Sequence, residues 1–216
     1  MYAALTDVVI CPRCGPAWGL VLLAERVSDR RVLAGQFGCP NCRERYGVEG
    51  GFADLRPSSA PSPGAGGEPL ERSEDRAAAV RLAALMGLGE GAALALVAGP
   101  AARLAPGVAG LLEGLEVIAV HEALGGWAEE PGVSRFAAAA RLPFRGRSMG
   151  GVVLSGAVST ALLEEGARVL ADPGRLVLED APADAETRLE RASFEVVARE
   201  GGTVVARRRV GARMGL

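Results

Sequence analysis

The chain has no lysine: all 24 of its basic residues are arginine. Schiff-base and lysine-nucleophile chemistry are therefore excluded. It has a single histidine, His121, so any histidine acid–base mechanism would have to use that residue. Aromatic residues make up only 4%, against 49% hydrophobic residues in all. The core must therefore be built from Ala, Val and Leu, and small side chains require elements to approach closely. An excess of charge is missing too. The formal net charge is −2, which excludes the broad positive field of a generic nucleic-acid binder. No apolar run spans a bilayer: Ala92 to Val120 is interrupted by Pro100, Arg103, Pro106 and Glu113. Met1 to Ile10 lacks the basic start and long apolar run of a signal peptide. These absences predict a soluble, cytoplasmic protein. Cysteine is absent after residue 42.

The four cysteines present are Cys11, Cys14, Cys39 and Cys42. In a cytoplasmic chain such pairs read as metal ligands rather than disulfides. Each Cys-x-x-Cys knuckle lets two thiolates point at one ion from a tight turn, and two knuckles complete a tetrahedron. Gly15 follows the first knuckle, where a left-handed backbone is often needed. Leu20 to Glu25 and Arg31 to Phe37 read as a hairpin between the knuckles. The pattern predicts a four-cysteine zinc ribbon; iron also suits four thiolates, as in rubredoxin-like sites. Four protein ligands leave no open position for substrate, so the metal is expected to be structural and to supply folding energy.

Length and composition divide the chain. Residues 1–56 hold the ribbon, 57–70 are a Pro/Gly-rich linker, 71–210 form an α/β domain, and 211–216 are a tail. Helices are expected over Glu71–Met86, Ala101–Leu112 (broken), His121–Glu129, Thr160–Leu170 and Ala183–Ala192. Strands are expected over Ala93–Ala98, Glu116–Val120, Arg135–Ala139, Val152–Ser155 and Arg175–Glu179, the last after a turn at Asp172-Pro173-Gly174. Phe194–Arg199 and Thr203–Arg209 read as a closing hairpin. Strands alternating with helices imply a mostly parallel sheet with helices on both faces, and the hairpin adds an antiparallel edge.

The run Tyr46-Gly-Val-Glu-Gly-Gly-Phe-Ala-Asp-Leu-Arg56 resembles the N-terminal ribbon of some bacterial methyltransferases, ribosomal-RNA guanine methyltransferases among them. A related stand-alone ribbon activates tRNA and protein methyltransferases. Three further segments resemble class I S-adenosylmethionine-dependent methyltransferases: Ala139–Phe144 with Val152–Ser155, Leu162–Leu170 with Asp172–Leu178, and Arg188–Val197. The resemblance implies a Rossmann-like methyltransferase fold behind the ribbon.

The departures fall where that family binds its cofactor. Its first strand ends in an acidic residue and a glycine-rich loop, where the backbone approaches the cofactor closely. Aligned on Arg103-Leu104, the acidic position is Leu96 and the glycine positions are Ala98, Pro100 and Ala102, with Gly99 one place off. The acidic residue that binds the ribose becomes His121, with Glu122 one step late. The aspartate near the adenine becomes Ala138, and the aspartate opening the fourth strand becomes Gly151. Losses at these positions beside retained scaffold segments imply a domain that kept its fold and dropped its ligand. A divergent cofactor mode would use Gly99, His121 and Glu122.

Other candidates are weaker. Ser155-Gly-Ala-Val-Ser159 lacks a nucleophile-elbow pattern. Arg207-Arg-Arg209 with Arg213, and Arg141, Arg145 and Arg147, could meet anions or simply be solvated. Trp18 could cover the ribbon's small core or face a partner. The expectation is a non-catalytic pseudo-methyltransferase, binding structural zinc but not S-adenosylmethionine, and acting as a protein-binding subunit or adaptor. The alternatives are a divergent active methyltransferase on RNA or a small molecule, and a ribbon-led nucleic-acid module.

Overall fold

A computed structural model describes residues 1–57, 60, 69–139 and 141–209. Most of the linker expected over 57–70 and the tail expected over 211–216 lie outside the described residues.

The ribbon consists of β1 (Val21–Ser28), β2 (Arg31–Gly38), β3 (Arg45–Glu49) and β4 (Phe52–Asp54), each antiparallel to the next. Asp29 and Arg30 join β1 to β2 with φ of 48° and 61°. Two positive φ values suit the right-handed twist of a tight hairpin. The second part of the chain contributes β5 (Leu94–Ala98), β6 (Glu116–Val120), β7 (Val133–Ala137), β8 (Met149–Leu154), β9 (Leu170–Leu178), β10 (Phe194–Glu200) and β11 (Thr203–Arg208). Four α-helices accompany them: α1 (Arg76–Met86), α2 (Ala105–Ala109), α3 (Thr160–Val169) and α4 (Ala185–Arg191).

All of these strands form one sheet, in the order β1-β2-β3-β4-β7-β6-β5-β8-β9-β11-β10. The strands from β7 to β9 run parallel, and β11 and β10 close the far edge antiparallel. Counted from β5 as the first, the α/β part reads 3-2-1-4-5-7-6, the Rossmann-like order with a final antiparallel hairpin. The ribbon joins it through backbone: β4 lies parallel to β7, with Phe52 opposite Arg135 and Asp54 opposite Ala137. Leu55 N–H extends that pairing to the Ala137 carbonyl at 2.9 Å.

The strands read alternately into two apolar layers. Ala95, Val97, Val117, Ala119 and Val153 face α1 and α2. Leu96, Ile118, Phe136, Val152 and Leu154 face the other way, onto α3, α4 and the ribbon's own core of Leu5, Val9, Val32 and Phe37. Small residues permit this close packing, as the composition requires. An added Cβ on Gly107 would lie 2.8 Å from the Ala79 Cβ of α1.

The connection from β7 to β8 departs from the α/β rule. Parallel strands of one sheet are normally linked by a crossover that contains a helix, yet the described residues between Ala137 and Met149, which carry the chain past β6 and β5, contain none. The N-terminal segment covers that ground instead. Ile10 N–H donates to the Pro143 carbonyl (2.9 Å) and Arg145 N–H to the Val8 carbonyl (2.7 Å). Val9, Phe136 and Phe144 are each fully buried, the two rings edge-to-face at 5.2 Å.

A buried charged network completes the join. Arg31 of β2 reaches both oxygens of Glu116 at 3.1 Å and also bonds Glu129. Arg135 of β7 pairs with Glu129 at 3.1 Å and donates to the Leu124 carbonyl at 3.0 Å and to the Gly50 carbonyl of the ribbon. The Met1 amino group also donates to Glu129, at 2.9 Å. Burial alone would raise the Glu129 carboxyl, but hydrogen bonds from Arg31 and Met1 outweigh it and hold the group below its ordinary 4.5.

Several element expectations are corrected. The helix expected from Glu71 starts at Arg76, where the Asp75 side chain accepts Ala78 N–H at 2.9 Å and caps the first turn. The helix expected over 101–112 is a 3-10 turn, Pro100–Leu104, followed by the short α2 with Pro106 in its first turn. The helix expected over 121–129 shrinks to one 3-10 turn, Glu122–Gly126, because Gly125 and Gly126 lower helix propensity. Asp172-Pro173-Gly174, expected as a turn before a strand, lies within β9. There the register against β8 shifts between Met149 and Gly151, which face Leu170 and Arg175.

Candidate metal centre and cofactor end

The two knuckles converge. The Cys11, Cys14, Cys39 and Cys42 sulfurs all lie within 4.8 Å of one another. Cys11 Sγ is 3.7 Å from Cys42 Sγ, and Cys39 Sγ is 3.8 Å from Cys14 Sγ. A tetrahedral zinc with bonds of about 2.3 Å separates its sulfurs by about 3.8 Å, whereas a disulfide requires about 2.05 Å. The donor set and its spacing therefore fit one zinc ion. Hydrogen bonds orient the ligands, as metal sites require. Cys14 N–H points at Cys11 Sγ (3.4 Å), Asn41 Nδ2 at Cys14 Sγ (3.3 Å), and the Tyr46 hydroxyl lies 3.8 Å from Cys11 Sγ. Burial raises the Cys39 thiol, yet donation from the backbone of Cys42 and Asn41 brings it down to about 7.

The second region is the carboxyl end of the parallel strands, where open α/β sheets bind ligands. Gly99 directly follows β5 with φ +86°, and a Cβ there would sit 2.2 Å from the Ser155 carbonyl oxygen. Only glycine permits that approach. The Ser155 hydroxyl accepts Ala101 N–H at 2.8 Å and donates to the Ala98 carbonyl at 2.9 Å. It thereby uses one of the amide donors that open the 3-10 turn after β5. The Pro100 ring lies 3.1 Å from where a Gly156 Cβ would be.

His121 follows β6. Its Nδ1 accepts Ala123 N–H at 3.1 Å, which places the neutral ring's proton on Nε2. Burial lowers its pKa from the ordinary 6.5, and Glu122 only partly offsets this. Glu122, one step past the position that the resemblance gives to the ribose, is paired. Its Oε2 pairs at 3.1 Å with Arg56, the last residue of the ribbon run, which Asp54 also holds at 2.8–2.9 Å. The pairing that puts β4 beside β7 delivers Arg56 there. The run Asp54-Leu55-Arg56 was legible as part of the ribbon likeness, but nothing in its spacing pointed to Glu122.

The remaining positions are equally local. Ala138 continues from β7 and brings no carboxylate. Gly151 packs under α1: a Cβ there would lie 2.8 Å from the Met86 Cβ, so an aspartate does not fit without movement. Arg207 is paired with Glu195 across the closing hairpin, and Arg208 with Asp172 of β9. Arg209 lies 3.9 Å from Glu190, and Arg213 is outside the described residues. Trp18 is 41% exposed, and Trp127 donates from Nε1 to the Leu70 carbonyl at 2.7 Å. No helix of the described residues is long and apolar enough to cross a membrane.

The strand order and the converged cysteines define the class: a class I S-adenosylmethionine-dependent methyltransferase fold with a four-cysteine, zinc-ribbon-like module on its third strand. Solved structures of that class are similar. A candidate methyltransferase from Bacillus halodurans C-125 matches at 20% identity and TM-score 0.44, over 58% of this chain and 71% of that one. A chain from the complex of the Haloferax volcanii Trm112 methyltransferase activator with a candidate methyltransferase matches at 13% identity and TM-score 0.49, over 60% and 87%. Magnesium protoporphyrin IX methyltransferase from Synechocystis PCC 6803, solved with bound SAH, matches at 18% identity and TM-score 0.45, over 62% and 81%. No family model matches the chain, and no curated protein matches it in sequence.

Proposed function

We propose that the chain is a non-catalytic member of the methyltransferase fold, serving as a zinc-stapled, protein-binding subunit. The observation that carries this reading is the ion pair between Glu122 and Arg56. The carboxylate one step past the position that the resemblance gives to the ribose is engaged by the chain's own guanidinium. The Ser155 cap on Ala101 and the burial of Gly151 beneath Met86 support the same reading.

A protein partner is supported by the surface. Six large hydrophobic side chains are prominently exposed among the described residues; three of them, Val21, Leu23 and Val27, lie along the free edge strand β1, and Trp18 precedes it. Apolar residues gathered on a free edge favour association.

Calorimetric titration of the zinc-loaded chain with S-adenosylhomocysteine tests the first half. The expected outcome is no binding heat up to millimolar ligand; a micromolar dissociation constant would overturn the non-catalytic reading and make Gly99 and Glu122 the first positions to substitute. For the second half, wild-type bait is expected to retain a stoichiometric protein that Leu23→Glu bait loses. A partner retained equally by both baits would remove the β1 edge from the reading.

A further inference from the structure

A cleft of about 430 Å³ opens between the first knuckle and the loop after β7. Pro12, Tyr46, Leu55, Pro57 and Ala139 give it apolar walls, and Arg13, Glu44 and Arg141 supply its charges. Its volume falls within the range of small-molecule sites, which combine apolar walls with a few placed polar groups.

The charges select the ligand. Arg13 and Glu44 face each other at 3.4 Å and neutralise one another. Arg141 has no hydrogen-bond or ion-pair partner among the described residues, and its guanidinium lies 3.4 Å from where a Gly15 Cβ would be. A side chain on Gly15 would crowd Arg141, and φ of +84° at Gly15 already disfavours one. The cleft thus carries one uncompensated positive charge above apolar walls. We propose that it binds a small planar aromatic monoanion, with the carboxylate on Arg141 and the ring between Pro12, Pro57 and Ala139. The site uses neither Gly99, His121 nor Glu122, so it stands or falls separately from the cofactor reading.

The probe is 2-naphthoate, with neutral 2-naphthamide as its isostere, titrated calorimetrically into the zinc-loaded full chain. Wild-type protein is expected to bind the carboxylate at least about tenfold more tightly than the amide, the worth of one charge-assisted hydrogen bond. Arg141→Gln should remove that preference. Ala139→Phe, a change at an exposed wall position, should abolish binding of both compounds, and Arg145→Gln should leave both unchanged. Zinc content and the thermal midpoint establish that each variant is folded. No binding of 2-naphthoate to wild type at millimolar concentration would overturn the proposal. So would equal affinity for the amide, or an undiminished preference in Arg141→Gln.

Discussion

Gly99 and Gly151 illustrate how a single missing Cβ can define a site. At Gly99 both the φ of +86° and the 2.2 Å approach of the Ser155 carbonyl exclude a side chain. Gly99→Ala is expected to cost about 2–3 kcal/mol in chemical denaturation, combining backbone strain with displacement of Ser155. Gly151→Asp, which introduces the residue that the resemblance leads one to expect there, is expected to destabilise by at least about 2 kcal/mol because a carboxylate would be forced against Met86. Glu129 gives a pH signature. Its carboxyl titrates below its ordinary 4.5 in the folded chain, so its contribution is complete above about pH 4.5. That contribution disappears as pH falls through the lower folded value. Glu129→Gln should lower stability at pH 7 by about 3 kcal/mol, leaving Arg135 without its carboxylate and Arg31 with Glu116 alone, and should flatten the acid limb of a thermal-midpoint profile. Removing zinc acts at the same scale. Chelation, or Cys39→Ser, is expected to lower the midpoint by about 10 °C or more, read by calorimetry beside a zinc assay.

Among elements, legibility followed the strength of the local signal. β6 was readable at its full extent because Glu116-Val-Ile-Ala-Val120 is a short apolar run between turn residues. α3 was readable because Ser159 caps it and Leu163, Ala167 and Val169 recur on its buried side. The knuckles were readable because ligand spacing is a local property. What escaped was set by tertiary context. The run Phe52-Ala-Asp54 is too short to announce a strand, and its register against β7 depends on residues some 80 positions away. The 3-10 turn Ala3–Asp7 lacks a side-chain cap and carries one buried residue, Leu5, so it left no periodic trace. The helix-free passage from β7 to β8 could not be foreseen, because its cover comes from residues 8–10. At the carboxyl end of the strands the identities of Leu96, Ala98 and Gly151 were legible residue by residue. The pairing of Arg56 with Glu122 required the fold.

At the scale of the whole molecule, the division at residues 57–70 marks a change in composition, while the two sides share one sheet and one apolar layer. Residues 69–216 expressed alone would expose Phe136, Phe144 and the edge of β7, and would leave Arg135 without the Gly50 carbonyl. That fragment is expected to be insoluble, or to lack a cooperative thermal transition by circular dichroism. A monomeric fragment that melts cooperatively would show that the ribbon is dispensable. The join itself has one more consequence. Its β4–β7 part is a ladder of main-chain hydrogen bonds, and a ladder recognises chain direction and spacing rather than side-chain identity. Over evolutionary time, side chains on either strand could be exchanged for others of similar size and polarity without loosening that ladder. The architecture can therefore outlast the sequence resemblance by which its ancestry would be traced.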